Sequence, residues 1–543
     1  MSIFLVVLTS LLLFRSIFLV DALPSGANGG RLHERAPCNI QTSSSVSCNN
    51  GIVTFGTSQG SISGLLTSNA IRFTVKYATA ARFQPPQITS LTSSFPNATA
   101  LPPMCPQTGV DPSNYSEDCL YFVAYVPTNV TPVTYSGGAP VLVWIHGGSY
   151  ISGSASDPYL NGSKLASATG SVVVVLQYRL GILGYLPPQS FSQNKNLGVQ
   201  DVITALKWIQ NVVGLLGGDK AKVTLAGQSS GANLIRNLLG TPSASNLFSR
   251  AISQSDPISY GFLSPTTFTN LQTAFYSGLN CGSCTSTPLS TLLAAQGNFN
   301  AQAVDPAAGM GEPIRPVLDG TLIQYSLTKT FPPNLKNLLL TTVKDEAGPA
   351  IYGNVPYPLP PAYYYAVATP LFGSPRDANV SAEYRVAQRA EGEDIRPLLV
   401  QAGTDSGWRC PAYTLARKWA TNNGNVWVGE FRLGSTYPSN AGIAYCTTPG
   451  NVCHEDDIPI VFGTTTSPSA AQIALTAQIQ ARWGAFVKYG NPNTNGYPNW
   501  PQLSRDGTVP VQNLGGSGPI PLGSCDPSVW GSSILYDYQI YNQ

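Results

Sequence analysis

Histidine is scarce in this chain. Its 543 residues include three, His33, His146 and His454, so chemistry that needs an imidazole base has few candidates. Charge is sparse as well: charged residues make up 10% of the chain and the formal net charge is +2. With no basic block, nucleic acid and a polybasic membrane patch are excluded as partners, and a polyanion is a poor fit as substrate. Metal-ligand spacing is also missing. No CxxC faces another CxxC or a histidine pair, so neither a metal site nor a cofactor is expected.

The N-terminal apolar stretch falls short in its own way. Ile3 to Leu13 is nearly all apolar, but Arg15 separates it from Ile17 to Val20, leaving the uninterrupted run below the ~20 residues that span a bilayer. We read 1–22 as a secretory signal ending at Ala22, with a signal anchor as the rival, and expect no stable membrane anchor. Residues 23–35, closing on Arg31 to Arg35, read as a propeptide or mobile segment. Residues 36–543 read as a single catalytic domain. A secreted, extracellular protein fits two further counts. Five Asn-x-Ser/Thr acceptors stand at Asn97, Asn114, Asn129, Asn161 and Asn379, and the ten cysteines are even in number, as expected of glycans and disulfides. Proximity pairs Cys38 with Cys48, Cys105 with Cys119, Cys281 with Cys284 and Cys446 with Cys453; Cys410 and Cys525 pair by elimination or stay free.

What the chain does have is a hydrophobic content of 43%, enough for a large packed core, and one stretch of distinctive shape. In Val223 to Leu239 a short apolar run meets Gly227-Gln228-Ser229-Ser230-Gly231. Leu234, Ile235, Leu238 and Leu239 then recur at helical spacing until Gly240, giving strand, sharp turn and helix. A serine on such a turn is held clear of the backbone, and the flanking glycines let strand and helix pass without a Cβ clash. Ser229 is therefore the candidate nucleophile. Gly56 to Gly60 fits the same GxSxG pattern, but its continuation, Ser61 to Gly64, is too rich in glycine and serine for a helix, so Ser58 reads as a turn residue.

Around this stretch, Ile52 to Phe55 and Ala70 to Tyr77 read as antiparallel strands, and Thr89 to Pro112 as a long surface loop. Val141 to Ile145 and Val172 to Leu176 are continuous apolar runs, the mark of parallel strands buried on both faces. Ala205, Leu206, Ile209 and Val213 lie on one face of a helix between Val202 and Leu216, stopped by Gly217-Gly218. Leu338 to Thr342 and Val426 to Phe431 read as later strands, giving an α/β fold. The aromatic section between them resists assignment.

A serine hydroxyl needs a base within hydrogen-bond reach. His33 falls in the segment expected to be removed, and His146, before Gly147-Gly148-Ser149, reads as ordering a loop. His454 remains. A third group must hold its tautomer, and both Asp345 and Glu346 stand at a strand end between serine and histidine; spacing does not separate them. Backbone N–H groups at Gly148, Ser149 and Ser230 can stabilise an oxyanion.

These residues resemble the type-B carboxylesterase and lipase family, the cholinesterase-like α/β-hydrolases. Arg82-Phe83, Glu117 to Tyr121, Trp144 to Tyr150, Tyr178 to Gly181, Asn196 to Asp201, Gly217 to Asp219, the serine turn, Lys344 to Glu346, and His454 with Val461 to Gly463 stand in that family's order. The resemblance implies a central, mostly parallel sheet flanked by helices, with insertions. It selects Glu346 over Asp345, assigns the oxyanion donors to Gly148, Ser149 and Ser230, and pairs Arg82 with Glu117 and Arg179 with Asp201. The expected activity is serine carboxylic ester hydrolysis on a small-molecule ester through an acyl-enzyme, with a Ser229, Glu346, His454 triad. A long-chain lipase or sterol esterase, a serine peptidase, and a non-catalytic binding or adhesion domain are the alternatives. Three departures stand out: Ser149 in place of a third glycine, Ala347 before the glycine that normally follows the acid, and Val123 within the Glu-Asp-Cys-Leu region. The Cys105 to Cys119 loop resembles a lipase lid but encloses only 13 residues, Pro106 to Asp118, and favours a carboxylesterase.

Overall fold

The computed structural model describes Cys38 and most of 46–530; within that span 58–59, 96–98, 130–136, 259–260, 301–312, 328–329, 506–507, 519, 521–524 and 526 lie outside the description. The signal and propeptide expectations, His33, Ser58 and Asn97 fall on residues outside it.

One twelve-stranded sheet organises the chain. Its strands are β1 (Val46–Asn49), β2 (Ile52–Thr57), β3 (Gly60–Leu66), β4 (Ala70–Lys76), β5 (Tyr121–Pro127), β6 (Ala139–Ile145), β7 (Val172–Leu176), β8 (Gly218–Gln228), β9 (Arg250–Gln254), β10 (Asn337–Val343), β11 (Val426–Phe431) and β12 (Val511–Leu514). In space they run β1-β2-β3-β4-β5-β7-β6-β8-β9-β10-β11-β12. Pairing is antiparallel from β1 to β7 and parallel from β7 to β12. The apolar runs account for this division. Every residue of β6 and β7 is buried, as strands covered on both faces require, whereas β1 alternates buried and exposed positions.

Successive side chains of a strand face opposite ways, so the sheet feeds two cores. Val141, Val143, Ile145 and Leu225 face one, with helix α1 (Leu197–Val212) and helix α2 (Ser230–Leu239) packed upon them. Leu142, Trp144 and Ala226 face the other, under Leu475, Ile479 and Trp483 of the helix Ala470–Tyr489. The expected helix is longer than its apolar spacing indicated: it starts at Leu197, tightens to a 3-10 turn at Val213–Leu216 and stops at Gly217, φ +78°. A third cluster gathers buried side chains from the helices between β10 and β11 together with Val529 and Trp530 near the C-terminus.

One expectation needs correcting. Thr89 to Pro112 is not wholly a surface loop, because it contains the turn Leu91–Ser94 and buries Cys105 and Gln107. The sheet supplies its backbone with partners. Arg72 and Thr74 of β4 donate to the carbonyls of Thr99 and Ala100, and Gln177 donates to Pro103 at 3.0 Å. Buried loop carbonyls need such donors.

Candidate active site

Ser229 joins β8 to α2 with φ +56° and ψ −128°, a backbone conformation that a non-glycine residue adopts only when its surroundings enforce it. Here the enforcement is visible. The Ser229 N–H donates to Gln254 of β9 at 3.0 Å, and its carbonyl accepts from Asn233 of α2 at 2.9 Å. The flanking glycines are sterically required: a Cβ on Gly231 would sit 2.1 Å from the Ile145 carbonyl oxygen, and one on Gly227 2.8 Å from the same atom. Strand and helix therefore cross against β6 at backbone contact.

His454 arrives from the segment after β11. Its Nδ1 lies 2.6 Å from Glu346 Oε2, and the other Glu346 oxygen accepts from the Val343 N–H at 2.8 Å. With Nδ1–H donated to the carboxylate, Nε2 carries the lone pair, the tautomer a general base needs. That lone pair faces the serine turn and accepts from Gln228 Nε2 at 3.2 Å. Burial disfavours the imidazolium, but the hydrogen bond and charge of Glu346, then the charges of Glu455 and Asp457, outweigh it and push the ring up to about 9. Burial, followed by repulsion from Glu346, pushes Asp457 up to about 7. The Trp408 ring lies 5.5 Å from His454, presented by a π-helical turn, Asp405–Arg409, of the kind that often occurs at functional sites.

The two acids that spacing left unresolved occupy different places. Glu346 takes the histidine ring; the Asp345 carboxylate accepts instead from the Val452 N–H at 2.9 Å and the Tyr445 hydroxyl at 3.1 Å.

Gly148 and Ser149 form a tight turn at the end of β6, with φ +106° and +53°. The Gly148 carbonyl accepts from Ile151 and Ser152, and a Cβ on Gly148 would meet the Ser152 carbonyl oxygen at 2.4 Å. Ser149 is buried, and its hydroxyl has no partner among the described residues. Ser230 is the first residue of α2, where backbone N–H groups lack helical acceptors. His146 takes no part as a base. Burial lowers it to about 4, its Nδ1–H donates to Gly147 at 2.8 Å, and its ring stacks 4.6 Å from Tyr178.

The two ion pairs expected from the resemblance both form. Arg82 grips Glu117 and the carbonyls of Cys284 and Thr287. Arg179 makes bonds of 2.8 and 2.6 Å to the buried Asp201. Disulfides join Cys38 to Cys48, Cys105 to Cys119, Cys281 to Cys284, Cys446 to Cys453, and Cys410 to Cys525. Asn114, Asn129, Asn161 and Asn379 are all exposed.

Sequence reasoning missed a buried chain that starts beside the Gly148–Ser149 turn. The Tyr150 N–H donates to Ser230 Oγ at 3.2 Å, the Tyr150 hydroxyl reaches Asn233, and Asn233 and Arg236 both bond Asp256. It also missed Asp405, Arg409 and Glu430, a buried network whose arginine donates to the Lys344 carbonyl. Asp405 and Arg409 stand four apart, as do many exposed helical pairs, and Tyr150, Asp256 and Glu430 come from distant segments, so no local signal marked the networks.

Residues 52–515 match the model of the carboxylesterase family. The chain is 30% identical to Carboxylesterase 1E of Mus musculus over 78% of its own length and 81% of the relative's. It is 29% identical to Liver carboxylesterase 1 of Oryctolagus cuniculus, over 77% and 80%. Among solved structures, a PNB esterase superposes with a TM-score of 0.69 at 26% identity, covering 85% of this chain and 96% of that one.

Proposed function

Because the chain belongs to the carboxylesterase family and is a carboxylic ester hydrolase, we propose that it cleaves small esters through an acyl-enzyme formed on Ser229. Ser229 Oγ attacks the ester carbonyl carbon while His454 Nε2 takes its proton. The Gly148, Ser149 and Ser230 N–H groups face the oxyanion, each such donor contributing about 3 kcal/mol in the transition state. His454 then passes the proton to the leaving alcohol; water, deprotonated by the same nitrogen, attacks the acyl carbon, and His454 returns that proton to Ser229 Oγ as the bond to the acid breaks. Glu346 holds Nδ1–H throughout and stabilises the imidazolium. The observation that carries this reading is the 2.6 Å contact between His454 and Glu346 beside a serine in a strained turn.

The short Cys105 to Cys119 loop, which carries only a three-residue 3-10 turn at Pro112–Asn114, favours soluble esters over interfacial activation. A p-nitrophenyl ester series from acetate to palmitate, run beside Ser229→Ala, tests both parts. Loss of activity in the variant with a short-chain optimum in the wild type is expected. Full activity in Ser229→Ala would remove the mechanism, and a long-chain optimum rising at an oil interface would make the protein a lipase or sterol esterase. Secretion and glycosylation belong to the same reading, supported by the exposed acceptor asparagines; a mass decrease on glycosidase treatment checks it.

A further inference from the structure

Asp345 touches no reacting group, yet it is 7% exposed in a protein with few charges to bury. Each side-chain hydrogen bond it makes runs to the segment that delivers His454. The Val452 N–H donates to Oδ2 at 2.9 Å, the Tyr445 hydroxyl donates to Oδ1 at 3.1 Å, and the Asp345 N–H returns to the Val452 carbonyl at 2.9 Å. Asp345 and Cys453 thereby pair as an isolated parallel bridge. The neighbouring contacts reinforce this zipper. Lys344 Nζ donates to Gly450 at 2.7 Å, and the Tyr445 ring stacks 4.5 Å from Tyr352, in the helix that follows Glu346. The Cys446–Cys453 disulfide closes the segment immediately before His454, and a Cβ on Gly348 would lie 2.6 Å from Cys453 Sγ.

We infer that Asp345 is a positioning residue for ester hydrolysis, its carboxylate fixing the Val452 to His454 backbone at the separation from Glu346 that the Glu346–His454 bond requires. The inference rests on the proposed serine mechanism. Its physical basis is leverage. Glu346 and His454 are 108 positions apart in sequence, and adjacent residues of one strand end hold the two halves of the contact, Asp345 the backbone and Glu346 the ring. Misplacing such a group by ~1 Å costs on the order of 100-fold in rate.

The test uses the full chain carrying Asp345→Asn, and separately Tyr445→Phe, with p-nitrophenyl acetate across a pH series. Rates are divided by active sites titrated with a phosphonate ester that labels Ser229. An asparagine can keep both partners only by accepting from the Val452 N–H with its oxygen and donating its amide N–H to the Tyr445 hydroxyl, so both bonds lose the carboxylate charge that strengthens them. Expected for Asp345→Asn is a fall in kcat per titrated site of about tenfold to 100-fold with KM within about twofold. The acid limb should move to lower pH, because a loosened Glu346 retains the imidazolium proton less well while Glu455 and Asp457, the other acids facing the ring, stay in place. Tyr445→Phe should move the same readouts by less, and decides the matter if Asp345→Asn does not fold. A lower titre and melting temperature with unchanged kcat per site and unchanged limb would overturn the inference and make Asp345 a stability residue only. A wild-type chain that the phosphonate leaves unlabelled would overturn the serine assignment, and this inference with it.

Discussion

Glu455 follows His454 directly at φ +77°, and its carboxylate accepts from Ser439 at 2.5 Å while its charge raises the histidine. On the proposed mechanism His454 works only when neutral, so a ring held near 9 leaves little of it competent at pH 7. Activity should therefore rise as pH rises from 7 toward 9. Replacing Glu455 by glutamine removes one of the charges that favour the imidazolium, and the acid limb of kcat/KM in a pH series should shift downward. Glu346→Gln should be far more damaging, since it removes both the tautomer lock and the counter-charge, with kcat falling by about 1,000-fold or more in the same assay. The serine and the histidine were legible at this scale, one from its flanking glycines and the other because so few histidines exist. The choice between Asp345 and Glu346 was not legible from spacing, because adjacent residues at a strand end differ only in what the fold brings opposite them.

Strand, turn and helix from β8 into α2 were legible because each is specified locally: an apolar run, two glycines, then a 3.6-residue repeat. The close approach that makes the glycines necessary belongs to β6, some 80 residues earlier. Gly231→Ala would drive a Cβ into the Ile145 carbonyl. The expected result is a loss of about 3 kcal/mol or more in urea unfolding, together with loss of the active-site titre, whereas Gly170→Ala on an open surface leaves the titre intact. The polar segment Thr89 to Pro112 misled for the converse reason. Its composition is that of a surface loop, and donors from β4, Ser156 and Gln177 supply the partners that let its backbone be buried.

Among the described residues, several of the scarce charges lie in buried pairs, such as Arg179 with Asp201 and Arg236 with Asp256. Removing one partner leaves the other charge uncompensated. Asp201→Asn should lower stability by about 3–5 kcal/mol by chemical denaturation. The Cys410–Cys525 bridge spans 115 positions, ties the C-terminal segment to the helix Cys410–Thr421, and by chain entropy contributes up to about 5 kcal/mol. A double Cys410→Ser, Cys525→Ser variant should unfold at lower denaturant while retaining most of its kcat at 25 °C.

The sequence by itself determined the α/β class, the strand, turn and helix around Ser229, the strands that flank them and the chain order of Ser229, Glu346 and His454. Each of these is written in local period, glycine placement or the small number of available residues. Only the tertiary structure decided, without appeal to a family resemblance, that Glu346 and not Asp345 meets the His454 ring, that Asp345 bonds Val452 and Tyr445 instead, that Cys410 pairs with Cys525 and does not stay free, and that Asp256 reaches the Tyr150 hydroxyl through Asn233. The His454 contacts join segments that follow the paired strands β10 and β11, whereas the chain from Asp256 to Tyr150 joins segments brought together by the strand order β7-β6-β8-β9, in which β7 leaves sequence order. Such an exchange depends on packing across the whole sheet and leaves no mark on the spacing within any one strand.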